Sequence, residues 1–461
     1  MIEPNFKTII EPFRIKSVEP IQKTSLSDRK KLLEQAGLNV FLIESNDILI
    51  DLLTDSGTNA MSTEQWAAIM KGDESYAGSP SFKRFEASVK KLAGECHVIP
   101  THQGRASERI LFSSLCSPGQ KVISNTLFDT TRANAENSGC EVIDIPCKES
   151  FHTREYSDFK GNIDLIKLRE QLVTHKENVA LVVMTVTNNS GGGQPASMKN
   201  LQETKKLCEE FNIPFMIDGC RFAENAYFIK IREKEQSHKS PTQICQEFFQ
   251  LADVISISAK KDAIANIGGI LCVREDSLAE NCRNNLILTE GFPTYGGLAG
   301  RDLDAIAVGL HEALDPFYLE YRIQCSNYLT DKLRENGIPM LYPAGGHAVY
   351  LDAKEFLNHI PPEQYPGLAF TAALYEIAGI RTVEIGSVMF GKTDSQNKLI
   401  PHTHELVRFA LPRRTYTQSH IDYVIEAMVE LNKQKENIKG VKFTYAPKVL
   451  RHFTAKFEWI S

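Results

Sequence analysis

Short apolar runs rich in β-branched residues alternate with longer amphipathic segments through the middle of the chain. The runs lie at residues 122–123, 142–145, 179–186, 215–217, 254–257 and 269–273. Apolar runs without polar alternation are typical of strands that are buried on both faces, and the segments between them are long enough for helices. The pattern predicts an α/β fold in which helices cover both faces of a mostly parallel sheet.

One of the intervening segments has a clear helical pattern. Ser197 is a suitable N-cap, and Met198, Leu201, Cys208 and Phe211 recur at the spacing of one helix face. We therefore expect a helix after Ser197 whose apolar stripe packs on the sheet.

A second region follows the loop at 291–297. A long helical pattern runs through 301–336, and strand-like stretches occur at 348–352 and 407–411, with helical segments between and after them. This arrangement predicts a smaller α+β domain, which the N-terminal segment joins. We expect a large domain at 57–311 and a small domain formed by 1–56 and 312–461.

Composition narrows the class of protein. The 461 residues are 42% hydrophobic and 24% charged, as in ordinary globular proteins, and the formal net charge of −6 argues against a nucleic-acid partner. The chain has no apolar run long enough to cross a membrane, and its first 16 residues lack the apolar core of a signal peptide. The ten cysteines form no CxxC pair, so we expect reduced thiols and a cytoplasmic protein.

Two charged residues follow the ends of predicted strands. Lys261 comes shortly after the run at 254–257, and Asp218 comes directly after the run at 215–217. In open α/β sheets, ligands bind beyond the carboxyl ends of the strands. A lysine can hold pyridoxal phosphate (PLP) as a Schiff base, and a carboxylate can keep the ring nitrogen of this cofactor protonated. The pair predicts a PLP site, although either residue alone is typical of a solvated surface charge.

The run at 100–105 enters a predicted helix at 106–115. Helix N-termini present free backbone N–H groups to anions, Gly104 permits close approach, and Arg105 adds positive charge. Ser258 and Lys260 lie beside Lys261 and can reach the same phosphate group. Taken alone, the run is also compatible with an ordinary loop that enters a helix.

Three more residues lie near strand ends. Phe128 is suited to stack on a cofactor ring, Asn189 brings an amide group, and Arg413 can bind a substrate carboxylate with two nitrogens. The alternatives are a core phenylalanine, a turn residue and a surface arginine.

Several longer runs match a known family closely, at residues 11–15, 51–58, 100–105, 224–230, 258–262 and 447–456. Through these runs the chain resembles the β-eliminating lyases, the family of tryptophanase (tryptophan indole-lyase) and tyrosine phenol-lyase, along nearly its whole length. The resemblance implies a PLP-dependent enzyme of fold type I that cleaves the Cβ–Cγ bond of an aromatic amino acid. It also implies a homotetramer built from two dimers.

The resemblance assigns roles to residues around the cofactor. It makes Lys261 the Schiff-base lysine, Asp218 the partner of the ring nitrogen and Phe128 the stacking ring, and it puts Arg221 near the phenolic oxygen. The residues that it implies around the phosphate are Gln103, Gly104, Arg105, Ser258 and Lys260.

Two further sets of residues follow from the same resemblance. The residues implied for the α-carboxylate of the substrate are Thr54, Ser56, Asn189 and Arg413. A monovalent cation, usually potassium, is implied between the carboxylate of Glu74 and the backbone carbonyls of Gly57 and Asn266.

Three positions separate the two family members. Ile385 stands where phenol-lyases carry the arginine that binds the phenol, and Asp129 and His452 are the residues found in tryptophanases. These positions favour indole over phenol, although the run at 266–269 looks more like that of a phenol-lyase.

The resemblance therefore implies cleavage of L-tryptophan into indole, pyruvate and ammonia. Tyr76 and Asp129 are the candidates for proton transfer to the indole ring, and His452 is the candidate for shaping its pocket. The alternatives are a tyrosine phenol-lyase and a non-catalytic binding protein with a PLP-enzyme fold.

Overall fold

The structure is a computed structural model that describes residues 9–394, 396, 399–447 and 450–460. Some predicted features lie outside these residues. They are positions 1–8, 395, 397–398 and 461 of the predicted small domain and positions 448–449 of the matching run near the C-terminus.

Helices and strands alternate along most of the chain. The helices are α1 Leu26–Gln35, α2 Thr63–Lys71, α3 Pro80–Ala93, α4 Gly104–Leu115, α5 Asp129–Asn137, α6 Leu165–His175, α7 Met198–Phe211, α8 Phe222–Arg232, α9 Pro241–Leu251, α10 Asp276–Thr289, α11 Gly300–Glu312, α12 Pro316–Glu335, α13 Ala353–Phe356, α14 Pro366–Ala378, α15 Ser387–Phe390 and α16 Gln418–Lys433. Within the described ranges, no helix has both the length and the apolar composition needed to cross a bilayer.

The strands are β1 Ile50–Asp51, β2 His97–Thr101, β3 Lys121–Ser124, β4 Glu141–Asp144, β5 Val179–Thr185, β6 Phe215–Asp218, β7 Val254–Ser258, β8 Gly269–Val273, β9 Ala348–Asp352, β10 Ile380–Arg381, β11 Val383–Ile385, β12 Lys392–Thr393, β13 Leu399–Ile400, β14 Leu406–Ala410, β15 Val441–Tyr445 and β16 Lys456–Trp459. Short 3₁₀ helices lie at Val40–Leu42, Ser45–Asp47, Lys148–Phe151, Lys176–Asn178, Lys234–Gln236, Pro362–Gln364, Lys435–Asn437 and Arg451–Phe453.

A seven-stranded sheet with the order β2-β8-β7-β6-β5-β3-β4 forms the centre of the large domain. Strands β7, β6, β5, β3 and β4 are parallel to their neighbours in this run, whereas β8 is antiparallel to both β7 and β2. The predicted, mostly parallel α/β sheet is confirmed. The apolar pattern did not reveal β2, because this strand contains His97, Pro100 and Thr101.

Both faces of this sheet are buried. In β5, Val182 and Met184 join the hydrophobic core on one face, and Leu181 and Val183 join the core on the other. Because successive side chains of a strand point to opposite faces, every strand position needs an apolar residue. The helix predicted after Ser197 is observed as α7 on the first face, and α4 lies on the second.

The carboxyl ends of the parallel strands meet at one edge of the sheet. Asp218 is the last residue of β6, and Ser258 is the last residue of the adjacent strand β7. Strand β2 points the same way as β7, since both are antiparallel to β8. The loops that follow β2, β3, β5, β6 and β7 therefore gather at this edge.

The small domain has its own hydrophobic core. An antiparallel sheet with the order β11-β14-β9 contributes to it, together with α14 and α16. The same core contains Leu33 and Leu52 from the N-terminal segment and Phe370 and Phe409 from the C-terminal region. This packing supports the expectation that both ends of the chain build one domain, and the exact bounds stay a prediction.

The helical pattern at 301–336 corresponds to two helices and not to one. Helix α11 ends at Glu312 and α12 begins at Pro316. Proline has no backbone N–H to donate to the preceding turn, but it is well suited to the first position of a helix. Asp315 caps the new helix by accepting a hydrogen bond from the Tyr318 N–H at 2.8 Å.

Candidate active site

A pocket opens where the strand-end loops gather, and most of the predicted site residues line it. They are Ser56, Gln103, Gly104, Arg105, Phe128, Asn189, Asp218, Arg221, Ser258, Lys260 and Lys261. The pocket is therefore built by segments that are far apart in sequence and that meet because their strands are neighbours in the sheet.

Lys261 and Asp218 face the same pocket. Asp218 is buried, with 4% of its surface exposed, and one carboxylate oxygen accepts a hydrogen bond from the Cys220 N–H at 3.2 Å. Lys261 lies three residues beyond the end of the adjacent strand β7. An amine and a buried carboxylate that share one cleft fit a PLP molecule held between them.

The N-terminus of α4 forms another wall. Gln103 is its N-cap and makes no side-chain capping bond, so the side chain of this cap does not block the N-terminus of the helix. Gly104 packs against β7 so closely that a Cβ atom at this position would lie 2.7 Å from the Ser258 Cβ. A larger residue would push the helix end away from the pocket.

Positively charged side chains lie beside the N-terminus of α4. Burial lowers the pKa of Lys260, and the neighbouring charges of Lys261 and Arg105 lower it further. Cations that are close enough to disfavour one another suit a dianionic ligand. The helix N-terminus and these side chains together fit the phosphate group of PLP.

Arg221 lines the pocket, and the carboxylate of Asp55 neutralises its charge. Its guanidinium donates to both oxygens of Asp55, at 2.7 and 3.0 Å. Burial opposes the ionisation of Asp55, but the charges of Arg221 and Arg413 hold its pKa well below the usual range. This pair ties the N-terminal segment to the loop after β6.

Arg413 does not line the pocket in the way that the sequence predicts. Its side chain is 1% exposed, and its guanidinium contacts Asp55 at 2.9 Å, Asp262 at 2.6 Å and Glu224 at 3.0 Å. These three carboxylates lie in the large domain and the N-terminal segment, whereas Arg413 follows β14. A substrate carboxylate would have to displace them to reach this arginine.

Arg408 is a buried arginine that the sequence analysis did not single out. It donates to the Asn189 Oδ1 at 2.9 Å and to the Leu53 carbonyl at 2.8 Å. Its Nε has no hydrogen-bond partner among the described residues, and burial lowers its pKa. A signal was present, because a charged residue at the centre of the apolar run 406–410 is unusual in a buried strand.

Asn189 is held in place by two aromatic side chains. Its Oδ1 lies 2.8 Å from the His347 Nε2, and its backbone carbonyl accepts a hydrogen bond from the Tyr350 hydroxyl at 2.9 Å. Burial lowers the pKa of His347 well below its usual value, as does the charge of Arg221, so the imidazole is neutral. Thr54 lies next to Ser56, whose N–H donates to the Thr54 hydroxyl at 3.1 Å.

The structure brings together two residues predicted for the ring pocket. His452 and Asp129 are buried, and the His452 Nε2 lies 3.4 Å from the Asp129 Oδ2. Ile385 is also buried, in an apolar cluster with Tyr350 and Leu406. The Phe41 ring lies edge-on to His452 with a centroid distance of 6.0 Å.

Tyr76 and Glu74 stand apart from this pocket. Tyr76 is 68% exposed and stacks on Phe292 with a centroid distance of 5.2 Å. Glu74 pairs with Arg301 at 2.9 Å. Their predicted roles in proton transfer and cation binding are not met within the single chain.

The other two predicted cation ligands do lie together. The Asn266 side chain donates to the Gly57 carbonyl at 3.1 Å and to the Asn59 carbonyl at 3.2 Å. The Asn266 backbone carbonyl also lies close to Gly57, since a Cβ atom built on Gly57 would be 3.0 Å from that oxygen. Backbone carbonyl oxygens are ligands of the kind that hard cations take.

Several proteins with similar sequences are named tryptophanase. A protein named tryptophanase from Rhodobacter capsulatus is 55% identical over 453 residues, which are 98% of this chain and 99% of that protein. Tryptophanase from Hyphomonas neptunium is 54% identical over 452 residues, with 98% and 99% covered. Tryptophanase from Escherichia coli O157:H7 is 44% identical over 468 aligned positions, again with 98% and 99% covered.

Solved structures with similar folds have low sequence identity. Aspartate aminotransferase from Thermotoga maritima superposes with a TM-score of 0.60 at 12% identity, covering 88% of this chain and 95% of that one. Serine palmitoyltransferase from S. paucimobilis gives a TM-score of 0.59 at 12% identity, covering 90% and 98%. The chain thus has the architecture of fold-type-I PLP enzymes.

A family model described as beta-eliminating lyase matches residues 51–427, which include the central sheet, Asp218, Lys261 and Arg408. The chain belongs to the β-eliminating lyase family.

Proposed function

We propose that this protein is a PLP-dependent carbon–carbon lyase that cleaves L-tryptophan to indole, pyruvate and ammonia by β-elimination. The observation that carries the proposal is the shared pocket of Lys261 and Asp218. The tryptophanase names of relatives that are up to 55% identical over nearly the full length support the choice of substrate.

The residues around the pocket have the chemistry to hold the cofactor. When bound, PLP withdraws electrons from the α-carbon of the amino acid, which makes its C–H bond acidic. Asp218 would keep a proton on the ring nitrogen, and Phe128 would stack on the ring. The residues that would hold the phosphate, together with the α4 N-terminus, are Gln103, Gly104, Arg105, Ser258 and Lys260.

Lys261 has two tasks in this proposal. Its amine would hold the cofactor aldehyde. When free, the same amine would remove the proton from the substrate Cα, a positioned transfer worth roughly 10²–10⁴ in rate. Burial of the pocket keeps water from competing for this proton.

We assign the substrate carboxylate to Arg408 and Asn189, with Thr54 and Ser56 beside them. Arg408 has an unpartnered N–H and no carboxylate partner of its own in the described structure, whereas Arg413 already contacts three carboxylates. A carboxylate is the ligand that an unpaired, buried guanidinium binds best. Arg413 then has an indirect role, in holding the loop after β14 against the large domain.

The ring pocket favours indole. The indole C3 must be protonated before the Cβ–Cγ bond breaks, and Asp129 is the buried acid available beside His452. Apolar Ile385 gives a phenol hydroxyl no partner, which argues against tyrosine as the substrate.

We further propose a homotetramer in which neighbouring copies complete each site. Tyr76 and Glu74 are exposed, and other exposed apolar side chains, among them Trp66 and Met70, lie nearby in sequence. Burying this surface against a second copy would bring Tyr76 and Glu74 to the pocket and to the potassium site at Gly57 and Asn266. The unpaired cysteines fit a cytoplasmic location.

The test is an absorption spectrum of the protein with added PLP, followed by an assay for indole and pyruvate. Wild-type protein should give a visible band and release both products from tryptophan, and Lys261→Ala should lose the band and the turnover. Lys433→Ala serves as a control, since Lys433 is an exposed lysine at the end of α16 that pairs with Glu430. Release of phenol from tyrosine would favour the phenol-lyase, and a band without turnover would favour a binding protein.

A further inference from the structure

Glu108 is a buried carboxyl group in the pocket to which none of these roles applies. It lies one helical turn after Gly104 on α4, is 5% exposed, and faces the pocket together with Asp218 and Lys261. Unpaired carboxylates are rarely buried, because removing their charge from water is costly. Its presence here needs a reason.

The hydrogen-bond partners of Glu108 are neutral in the described part of the chain. The Thr131 hydroxyl donates to its Oε1 at 2.7 Å, and the Thr130 hydroxyl lies 3.4 Å from its Oε2. Both threonines belong to α5, which begins directly after Phe128. Glu108 therefore joins the helix at the phosphate wall to the helix that follows the stacking ring.

Burial and the charged groups around Glu108 bring its pKa close to neutral pH. Burial raises its pKa to about 7, and the charge of Asp218 acts in the same direction. Asp129 on α5 also raises it, whereas Lys261 lowers it, and the Cys220 thiol after β6 is another titratable neighbour. A carboxyl group in this setting changes its charge near neutral pH.

We propose that Glu108 is a positioning residue that controls how firmly Asp218 holds a proton on the cofactor ring nitrogen. When Glu108 is neutral, the charge of Asp218 alone would act on the ring nitrogen from this side of the pocket. Ionised Glu108, having released its proton to solvent, adds a second negative charge beside Asp218 and stabilises the protonated ring. The inference deepens the proposed function, because it rests on a cofactor bound between Asp218 and Lys261.

The test compares Glu108→Gln with wild type and with Glu108→Asp. Glutamine has nearly the shape of the neutral acid but cannot ionise, whereas aspartate keeps the charge. We would follow the visible absorption of the PLP-loaded protein between pH 5 and 10. One nearby charge shifts a pKa by about one unit or more, so the midpoint of the spectral change should fall by about one pH unit in Glu108→Gln and stay near wild type in Glu108→Asp.

A purely structural role for Glu108 would give a different result. The cofactor would bind more weakly in Glu108→Gln, but the spectral midpoint would not move. An unchanged midpoint therefore overturns the inference. Glu136→Gln is the matched control, because Glu136 is an exposed carboxylate on α5 that pairs with Arg132, and its midpoint should equal that of wild type.

An infrared titration tests Glu108 without any cofactor. In the difference between the wild-type and Glu108→Gln spectra, the carbonyl band of one protonated, buried acid should be present at pH 5 and should disappear around neutral pH. The bands of two other buried acids, Glu384 and Glu405, are common to both proteins and cancel. Thr131→Val should move this loss to higher pH, since the Thr131 hydrogen bond stabilises the carboxylate. A carboxylate that is already ionised at pH 5 contradicts the inference, and a missing visible band in wild type would instead refute the proposed cofactor site.

Discussion

Two buried arginines near the pocket, Arg413 and Arg408, have different surroundings. Because of this difference we propose different roles for them. Arg413 contacts Asp55, Glu224 and Asp262, so its charge is neutralised by the protein. Arg408 contacts an amide and a carbonyl and keeps one N–H without a partner in the described structure. Under the proposed function, the first arginine stabilises the fold and the second binds a ligand.

Replacing Arg408 should weaken amino-acid binding. We expect Arg408→Leu to raise the Kd for tryptophan about 100-fold, since losing one partner of a buried charge pair costs about 2–5 kcal/mol. The measurement is the spectral titration of the PLP-loaded protein with tryptophan. Tryptophan binding at wild-type strength would exclude Arg408 as the carboxylate ligand.

Replacing Arg413 should instead destabilise the protein. Arg413→Leu leaves buried carboxylates with one cation fewer, which typically costs about 3–5 kcal/mol. Urea unfolding would measure this loss of free energy. If Arg413→Leu keeps its stability and loses tryptophan affinity, the sequence-based assignment of Arg413 to the carboxylate was correct after all.

The types and positions of residues in the sequence predicted which of them line the cofactor pocket. They could not show that Arg408 and Arg413 have different contacts. Lys261, Asp218 and Gly104 follow strand ends or begin a helix, so their convergence follows from the topology. The surroundings of Arg408 and Arg413 depend on partners more than 150 residues away in the chain, as with Arg413 and Asp262. Only the packed structure reveals such contacts.

At the scale of elements, the central strands were predictable because both of their faces are buried. Strand β2 was missed because polar residues and Pro100 interrupt its apolar pattern, and the break before α12 was missed because the helical periodicity continues on both sides of Pro316. In both cases tertiary pairing or a local cap overrides the pattern.

A pair of buried acids, Glu384 in β11 and Glu405 directly before β14, lies beside the turn between β11 and α15. Glu384 accepts hydrogen bonds from the N–H groups of Val388 at 2.9 Å and Met389 at 3.2 Å, and Glu405 accepts one from the Ser387 N–H at 3.2 Å. Burial raises the pKa of both carboxyls, and the nearby charge of Glu405 raises that of Glu384 further. The pair supports the turn that follows Ile385.

This pair should make the protein less stable as pH rises. A raised carboxyl pKa means that the folded state holds protons that the unfolded state has released, so stability is highest below the unfolded pKa near 4.5 and falls as pH rises toward the folded values. Thermal unfolding of wild type and Glu384→Gln at pH 5 to 8 would measure this. As pH rises, we expect the melting temperature of Glu384→Gln to fall less steeply than that of wild type. Parallel curves of melting temperature against pH would contradict this expectation.

Under the proposed function, one copy of the whole molecule does not bring all of the expected residues to the active site. Tyr76 is exposed and Glu74 is paired with Arg301, although both were expected near the ligands. Sequence comparison identifies such residues but does not indicate which copy of the chain supplies them.

Mixing two inactive variants tests whether sites are shared between copies. If Tyr76 acts in the pocket of a neighbouring copy, Tyr76→Phe and Lys261→Ala should each be severely impaired alone. Oligomers assembled from both should regain activity, because some pockets then combine an intact Lys261 with an intact Tyr76. No recovery after verified subunit exchange would mean that Tyr76 acts within its own chain or not at all.

The central claim is that Lys261, opposite Asp218, is the lysine that binds the cofactor aldehyde. Borohydride reduction of the PLP-loaded protein, followed by mass spectrometry of its peptides, would locate the modified lysine directly. We predict the pyridoxyl group on Lys261 and an unmodified Lys260. Modification of Lys260 or of a distant lysine, or no modification at all, would contradict it.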